Sequence, residues 1–333
     1  MAVVDIFSIE PHKVSRDLSG YITYIYGPAK TGKTTFASKM PSPLILALEP
    51  GTNALPGVMA QPIESWSDVK QVVRQLKTDK GHEMFKSVVF DPVDTAGQFC
   101  EKYICSQNGV DTLSGIPYGQ GWTLVKREFE GVLRSIVQMG YALVLISHDK
   151  DKTFKRKDGT EYNQVVPSCP TTYNDISKNL ADIYAFAEKY TDNTGVSKVR
   201  LIIRSPDNSV DSGSRFRYMT PIIEEFSYKN LVEALNEAID KEAAEYDNEY
   251  VTEERNIVQT TTTYDYDALM EEFQKMVGEL MNKNKDYYTP RITSIIEKYL
   301  GKGKKISDTT IDQAEFVNLI VTEVKEDLYN TAH

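Results

Sequence analysis

Residues 27–34 read Gly27-Pro28-Ala29-Lys30-Thr31-Gly32-Lys33-Thr34, with Thr35 next, and they satisfy the spacing G-x-x-x-x-G-K-[ST] at every required position. The motif stands between residues 21–26 (YITYIY), a β-branched and aromatic run with strand composition, and the helix-like run 33–40. That order constrains the fold more than any other feature of the chain. A loop joining a strand to a helix can wrap a phosphate only if its main-chain N–H groups converge on one point. Side chains at positions 27 and 32 would obstruct the turn or the approach, and both positions are glycine. Lys33 is then placed to reach the terminal phosphates and Thr34 to give its hydroxyl to Mg²⁺. Thr35 offers a further hydroxyl, and the helix N-terminus adds a field that favours an anion. The expected ligand is ATP with Mg²⁺.

The surrounding pattern suits such a loop. Residues 44–48 (LILAL), 87–91 (SVVFD) and 142–148 (ALVLISH) are apolar runs too short for helices, which predicts strands buried on both faces. Between them Trp66, Val69, Val72, Val73 and Leu76 fall at helical spacing, with Ser65 or Ser67 as a cap, and helical patterns recur around 94–107 and 122–139. Strands alternating with helices imply right-handed crossovers and a mostly parallel sheet between helices, a three-layer α/β core. Further on, 174–188 reads as helix, 198–204 and 215–219 as strands, and a helix over about 228–246 closes a core domain of residues 1–246. Residues 247–267, with weak periodicity and four consecutive threonines, read as a linker. Leu269, Met270, Phe273, Met276, Val277 and Leu280 then line one helical face, and patterns near 290–300 and 311–328 complete a small C-terminal helical domain, 268–333.

Composition narrows the function. The 333 residues carry a net charge of -10, which argues against a protein that coats polyanions through its whole surface, so any nucleic-acid contact must be local. The excess is uneven: residues 241–333 hold 11 basic and 19 acidic side chains. Three cysteines at irregular spacing suit neither a disulfide framework nor a four-ligand zinc site. With no apolar run approaching 18 residues and no basic-then-apolar start, a cytoplasmic, membrane-free protein is expected.

Four further groups are candidates for chemistry. Asp91 ends its strand where a carboxylate can hold Mg²⁺ beside Thr34, or simply close a turn. Glu49 ends LILAL at the edge where ligands of open α/β sheets gather, and can either polarise a water or act as a solvated turn acid before Pro50-Gly51. His148 ends the fourth strand and can sense a terminal phosphate or be a satisfied strand-end histidine. Residues 149–170 contain Lys150, Lys152, Lys155, Arg156 and Lys157 interleaved with Phe154 and Tyr162, around the hairpin signal Asp158-Gly159. Cations that neutralise phosphates beside rings that stack on unpaired bases suit a single nucleic-acid strand.

Together, the phosphate loop GPAKTGKTTF and strands ending in Glu49, Asp91 and Ser147-His148 resemble the RecA-like branch of the P-loop ATPases. Within it, the form LILALEPG, the compact core and the helical tail are similar to phage-encoded AAA-type ATPases of the Sak single-strand annealing and recombination group. The resemblance covers about residues 20–225. It implies that Glu49 activates the attacking water, that His148 is the polar sensor, and that the stretch after it contacts single-stranded DNA. It also implies that Arg215 or Arg217, flanking Phe216, reaches a neighbouring subunit's nucleotide in a homo-oligomer. The tail, with Lys302, Lys304 and Lys305, is expected to serve as an accessory or partner-binding domain, for instance for a single-strand binding or other replication protein. The expected function is a Mg²⁺-dependent ATPase that promotes annealing or strand pairing in the host cytoplasm. The alternatives are a nucleotide-dependent assembly switch and a P-loop small-molecule kinase.

Overall fold

A computed structural model describes residues 11–247, 249–254, 266–310 and 313–330. The described residues from 11 to 254 form one compact unit and those from 266 to 330 another.

In the larger unit, β1 (Val14–Ser15) leads into β2 (Thr23–Tyr26), the phosphate loop and α1 (Lys33–Ala37). There follow β3 (Pro43–Ala47), β4 (Met59–Pro62), α2 (Trp66–Leu76), α3 (Asp79–Met84), β5 (Ser87–Asp91), α4 (Val93–Gln107), α5 (Gln120–Gln138) and β6 (Ala142–Ser147). A hairpin of β7 (Asp149–Lys155) and β8 (Glu161–Pro167) leads to α6 (Thr171–Leu180), β9 (Ile183–Thr191) and β10 (Ser197–Ile202). Two short strands, β11 (Gly213–Ser214) and β12 (Ile222–Ile223), precede α7 (Tyr228–Ala243) and β13 (Val251–Thr252).

The main sheet runs β12-β10-β9-β2-β6-β5-β3-β4, with β11 on β9. From β9 to β4 every pairing is parallel. Apolar residues alternate between its two faces, as burial on both sides requires. Tyr24, Tyr26, Val88, Phe90, Leu143 and Leu145 join the core formed with α2, α4, α5 and α6. Ile25, Val89, Val144 and Ile146 point the other way, onto α1 and α7. Ser65 caps α2 by accepting the Asp68 N–H, and Trp66 behind it stacks on Phe129 of α5, which in turn meets Tyr173 of α6.

Three expectations need correction. Residues 183–188 are not helical: α6 stops at Leu180, and Ile183 to Ala187 are buried as the start of β9, with β2 on one side and β11 then β10 on the other. Its alanines and Glu188 suit a helix locally, but a central sheet position overrides that preference. No strand covers 215–219; the pairing ends at Ser214, and Arg215 leads into a turn. Inside the expected linker, Val251 and Thr252 pair in parallel with Val14 and Ser15, so the larger unit continues past residue 246. The stretch 255–265 lies outside the described residues.

The smaller unit comprises α8 (Tyr266–Leu300) and α9 (Ala314–Val324). Asn284 leaves helical geometry and breaks α8 into two arms, its side chain accepting the Tyr287 N–H at 3.1 Å. Leu269, Phe273, Met276 and Leu280 of the first arm pack with Ile292 and Ile295 of the second and with Val317, Ile320, Val321 and Val324 of α9. Among the described residues, no helix is long and apolar enough to cross a membrane.

Phe129→Ala is expected to lower the unfolding free energy of the larger unit by about 3–5 kcal/mol, because it removes the ring shared by Trp66 and Tyr173 and leaves a cavity. Urea unfolding followed by tryptophan fluorescence measures it; a loss below about 1 kcal/mol would show that this layer is not tightly packed.

Candidate functional site

Parallel alignment brings the C-terminal ends of β2, β3, β5 and β6 to one edge of the sheet, where a cleft of about 600 Å³ opens between Lys30–Thr35, Glu49, Asp91 and His148. The loop leaves β2 at Gly27, whose N–H donates to the Ser147 carbonyl at 3.3 Å. Gly27 has φ +150°, and a Cβ there would lie 2.5 Å from the Ala187 carbonyl oxygen of β9, so any side chain would push the loop off the sheet. Gly32 turns the chain at φ +89° into α1, and its carbonyl accepts the Phe36 N–H that opens the helix.

Lys33 is buried inside the loop that it follows. Its Nζ donates to the carbonyls of Gly27 at 2.6 Å and Pro28 at 2.8 Å, and lies 3.4 Å from Thr31 Oγ1. Burial brings its pKa down to about 8, against the pull of Asp91, Asp149 and Asp94. Thr31 Oγ1 in turn donates to the Pro28 carbonyl at 2.9 Å.

Thr34 Oγ1 donates to Asp91 Oδ2 at 2.6 Å, joining residues 57 apart in sequence. A hydroxyl beside a carboxylate is a hard oxygen pair that fits Mg²⁺, an ion that keeps several of its waters and takes few protein ligands. Burial raises the Asp91 pKa, opposed by the Thr34 hydrogen bond and the Lys33 charge. Across the cleft, Glu49 Oε2 stands 3.5 Å from His148 Nε2, while Thr95 of α4 donates to Glu49 Oε1 at 2.7 Å. The carboxylate is therefore oriented from two sides. Thr95 carried no sequence signal, because it contributes through a helix face rather than through a motif.

The hairpin begins one residue after His148. Phe154 and Tyr162 face each other across it, stacked at 5.5 Å, with Lys152 over the first ring and Arg156 over the second at 4.8 and 4.6 Å. Lys150 donates to the Ser168 carbonyl at the hairpin base, and Lys155 and Lys157 are exposed. Ser168 is anchored in turn, its hydroxyl donating to the buried Asp94 of α4 and its N–H to the His148 carbonyl.

The two arginines are not brought to this cleft. Arg215 donates to Asp182 Oδ1 and to the Asn179 carbonyl, where β9 and β2 begin, at the opposite edge of the sheet. Arg217 makes a looser 3.4 Å contact with Glu245. A cation without a sequence signal does reach the loop: Lys189 Nζ donates to the Ala29 carbonyl at 2.8 Å. It was hidden because the first six residues of its strand, β9, read as helix.

An anion bound in the loop stabilises the charged form of Lys33, so nucleotide affinity is expected to be constant below pH 8 and to fall up to tenfold per unit above it. Calorimetry in buffers of different ionisation heat should show proton uptake on binding near pH 8.5; affinity that rises through this range would contradict the placement of Lys33.

Comparison with known proteins agrees with this geometry. The chain is 28% identical to the SPbeta prophage-derived uncharacterized protein YorG of Bacillus subtilis (strain 168), over 97% of its own length and 98% of the relative. The AAA domain matches residues 19–216, a segment holding the phosphate loop, Glu49, Asp91, His148 and the whole hairpin. A phosphate loop set between a central parallel strand and its helix is how such a domain holds nucleotide, and with more than half of its length matched the chain belongs to the AAA domain family of nucleotide-binding ATPases.

Proposed function

We propose that this ATPase hydrolyses Mg²⁺-ATP and uses the bound triphosphate to set the grip of the β7–β8 hairpin on single-stranded DNA, in recombination or annealing of phage DNA. The observation that carries the reading is the Glu49–His148 pair. It joins the mouth of the phosphate cleft to the residue from which the hairpin springs.

Lys33 and the loop amides hold the β- and γ-phosphates, and Thr34 and Asp91 hold Mg²⁺, which neutralises charge developing in transfer. Glu49, kept in place by Thr95, takes a proton from the attacking water. His148 loses or keeps its contact with Glu49 according to whether a γ-phosphate is present, and passes that difference into Asp149 and the hairpin.

The hairpin itself favours a polyanion on one face. Lys150, Lys152, Phe154, Tyr162 and Gln164 share one side, together with the Arg156 stacked on Tyr162, while Asp149, Asp151 and Glu161 occupy the other, with Lys155 opposite Glu161. Cations beside aromatic rings, with the carboxylates turned away, suit a strand whose bases are unpaired. In an assembly of copies, Arg217, loosely held by Glu245, is the better placed of the two arginines to leave its partner for a neighbour's phosphate. The helical unit then serves as the recruiting module.

Glu49→Gln is expected to retain ATP binding and to slow phosphate release by about two to four orders of magnitude. Phosphate release is assayed with no added acceptor, with and without an oligonucleotide; unchanged turnover removes Glu49 from catalysis, and turnover only with a small-molecule acceptor identifies a kinase. The triple variant Lys150→Ala, Lys152→Ala, Arg156→Ala should weaken oligonucleotide binding and flatten its salt dependence by about 0.7 for each phosphate that is no longer neutralised. Wild-type protein that ignores oligonucleotides in the presence of an ATP analogue and Mg²⁺ would overturn the DNA part.

A further inference from the structure

The loop carbonyls of Gly27, Pro28 and Ala29 are held by two ammonium groups, and only one of them belongs to the motif. Lys33 takes the first two and Lys189 the third, at 2.8 Å. We propose that Lys189 is a second phosphate-binding cation, which exchanges the Ala29 carbonyl for the β/γ end of the bound triphosphate.

The placement follows from the sheet. β9 lies beside β2 in parallel register, with Phe186 opposite Tyr26. At Gly27 the chain turns away into the loop, whereas β9 continues to Thr191 and so runs alongside it. Ala187 fills the position against Gly27. Strand alternation puts Lys189 on the same face as Ala185 and Ala187, whose methyl groups pack with Phe36 and Ala37 of α1. The side chain therefore emerges on the α1 side of the loop.

Its chemistry is that of a charge without a counter-charge. Among the described residues no carboxylate pairs with Lys189; the adjacent Glu188 is taken by Arg200 at 2.5 Å. A neutral carbonyl is a weaker partner for an ammonium than a phosphate oxygen, since charge-assisted hydrogen bonds are about twice as strong as neutral ones. Lys189 also belongs to the electrostatic surroundings of Lys33 and opposes its charge. Both ammonium groups thus hold carbonyls of the same loop, whose Ala29 lines the cleft, and a triphosphate there would relieve their repulsion. A lysine on a flexible stem can make that exchange without moving the strand.

The inference rests on the nucleotide-binding reading, and its test separates the two. Dissociation constants for a non-hydrolysable Mg²⁺-ATP analogue and for ADP are measured by calorimetry on the full chain carrying Lys189→Met, which keeps most of the apolar stem, and Lys189→Arg. Lys189→Met is expected to weaken the triphosphate about 10–100-fold and ADP clearly less, with Lys189→Arg recovering most of the affinity. Affinities within twofold of wild type would overturn the proposal, and so would an equal loss for both nucleotides, which would make Lys189 a prop of the loop only. Wild-type protein that binds neither nucleotide would instead remove the reading on which it stands.

Discussion

The site depends on one constraint: β9, β2, β6, β5 and β3 run in the same direction, so residues scattered over more than a hundred positions finish at one sheet edge. Parallel strands force each connection to cross a face, and the crossovers are the helices that bury that face. Fold and site therefore have a common cause. The apolar residues that alternate between the two cores are also those that deliver Gly27, Glu49, Asp91 and His148 to the cleft.

Within the cleft the main chain and the charges work against each other until an anion arrives. Gly27 approaches β9 too closely for a Cβ, which fixes the start of the loop, while Lys33 is folded back under its own carbonyls and partly stripped of water. An ammonium in that position is more costly than one in solvent, and a phosphate offers it a charged partner without requiring a new fold. On the opposite wall Glu49 is tied to Thr95 by a hydrogen bond and stands 3.5 Å from His148, so that groups lining the cleft come from separate elements yet are linked.

The parts legible in the sequence are those whose chemistry is local. The phosphate loop could be read because all its demands fall within eight residues, and Asp91 because an apolar strand that ends in a carboxylate is visible without knowing its neighbours. The hairpin was legible from Asp158-Gly159 between its two arms, and the Asp158 side chain does cap that turn by accepting from Thr160. What escaped was β9. Its residues Tyr184-Ala185-Phe186-Ala187-Glu188 carry no strand pattern of their own, because their conformation is imposed by β2 on one side and β10 on the other. Lys189 was lost with it, as a lysine just past a run read as helix has no reason to meet a loop 160 residues earlier. Thr95 and the Asp94–Ser168 contact were invisible for the same reason, since each depends on a packing partner that no spacing announces.

The central claim is that main-chain amides ahead of α1 close around a triphosphate. Hydrogen exchange at residues 28–35, followed with and without Mg²⁺-ATP analogue, addresses it most directly. Amides closed around a triphosphate exchange far more slowly, so strong slowing is expected in this segment, with lesser changes at Asp91 and at the base of the hairpin. Exchange at residues 28–35 that is unaltered at saturating nucleotide, or slowing confined to some other part of the chain, would contradict it.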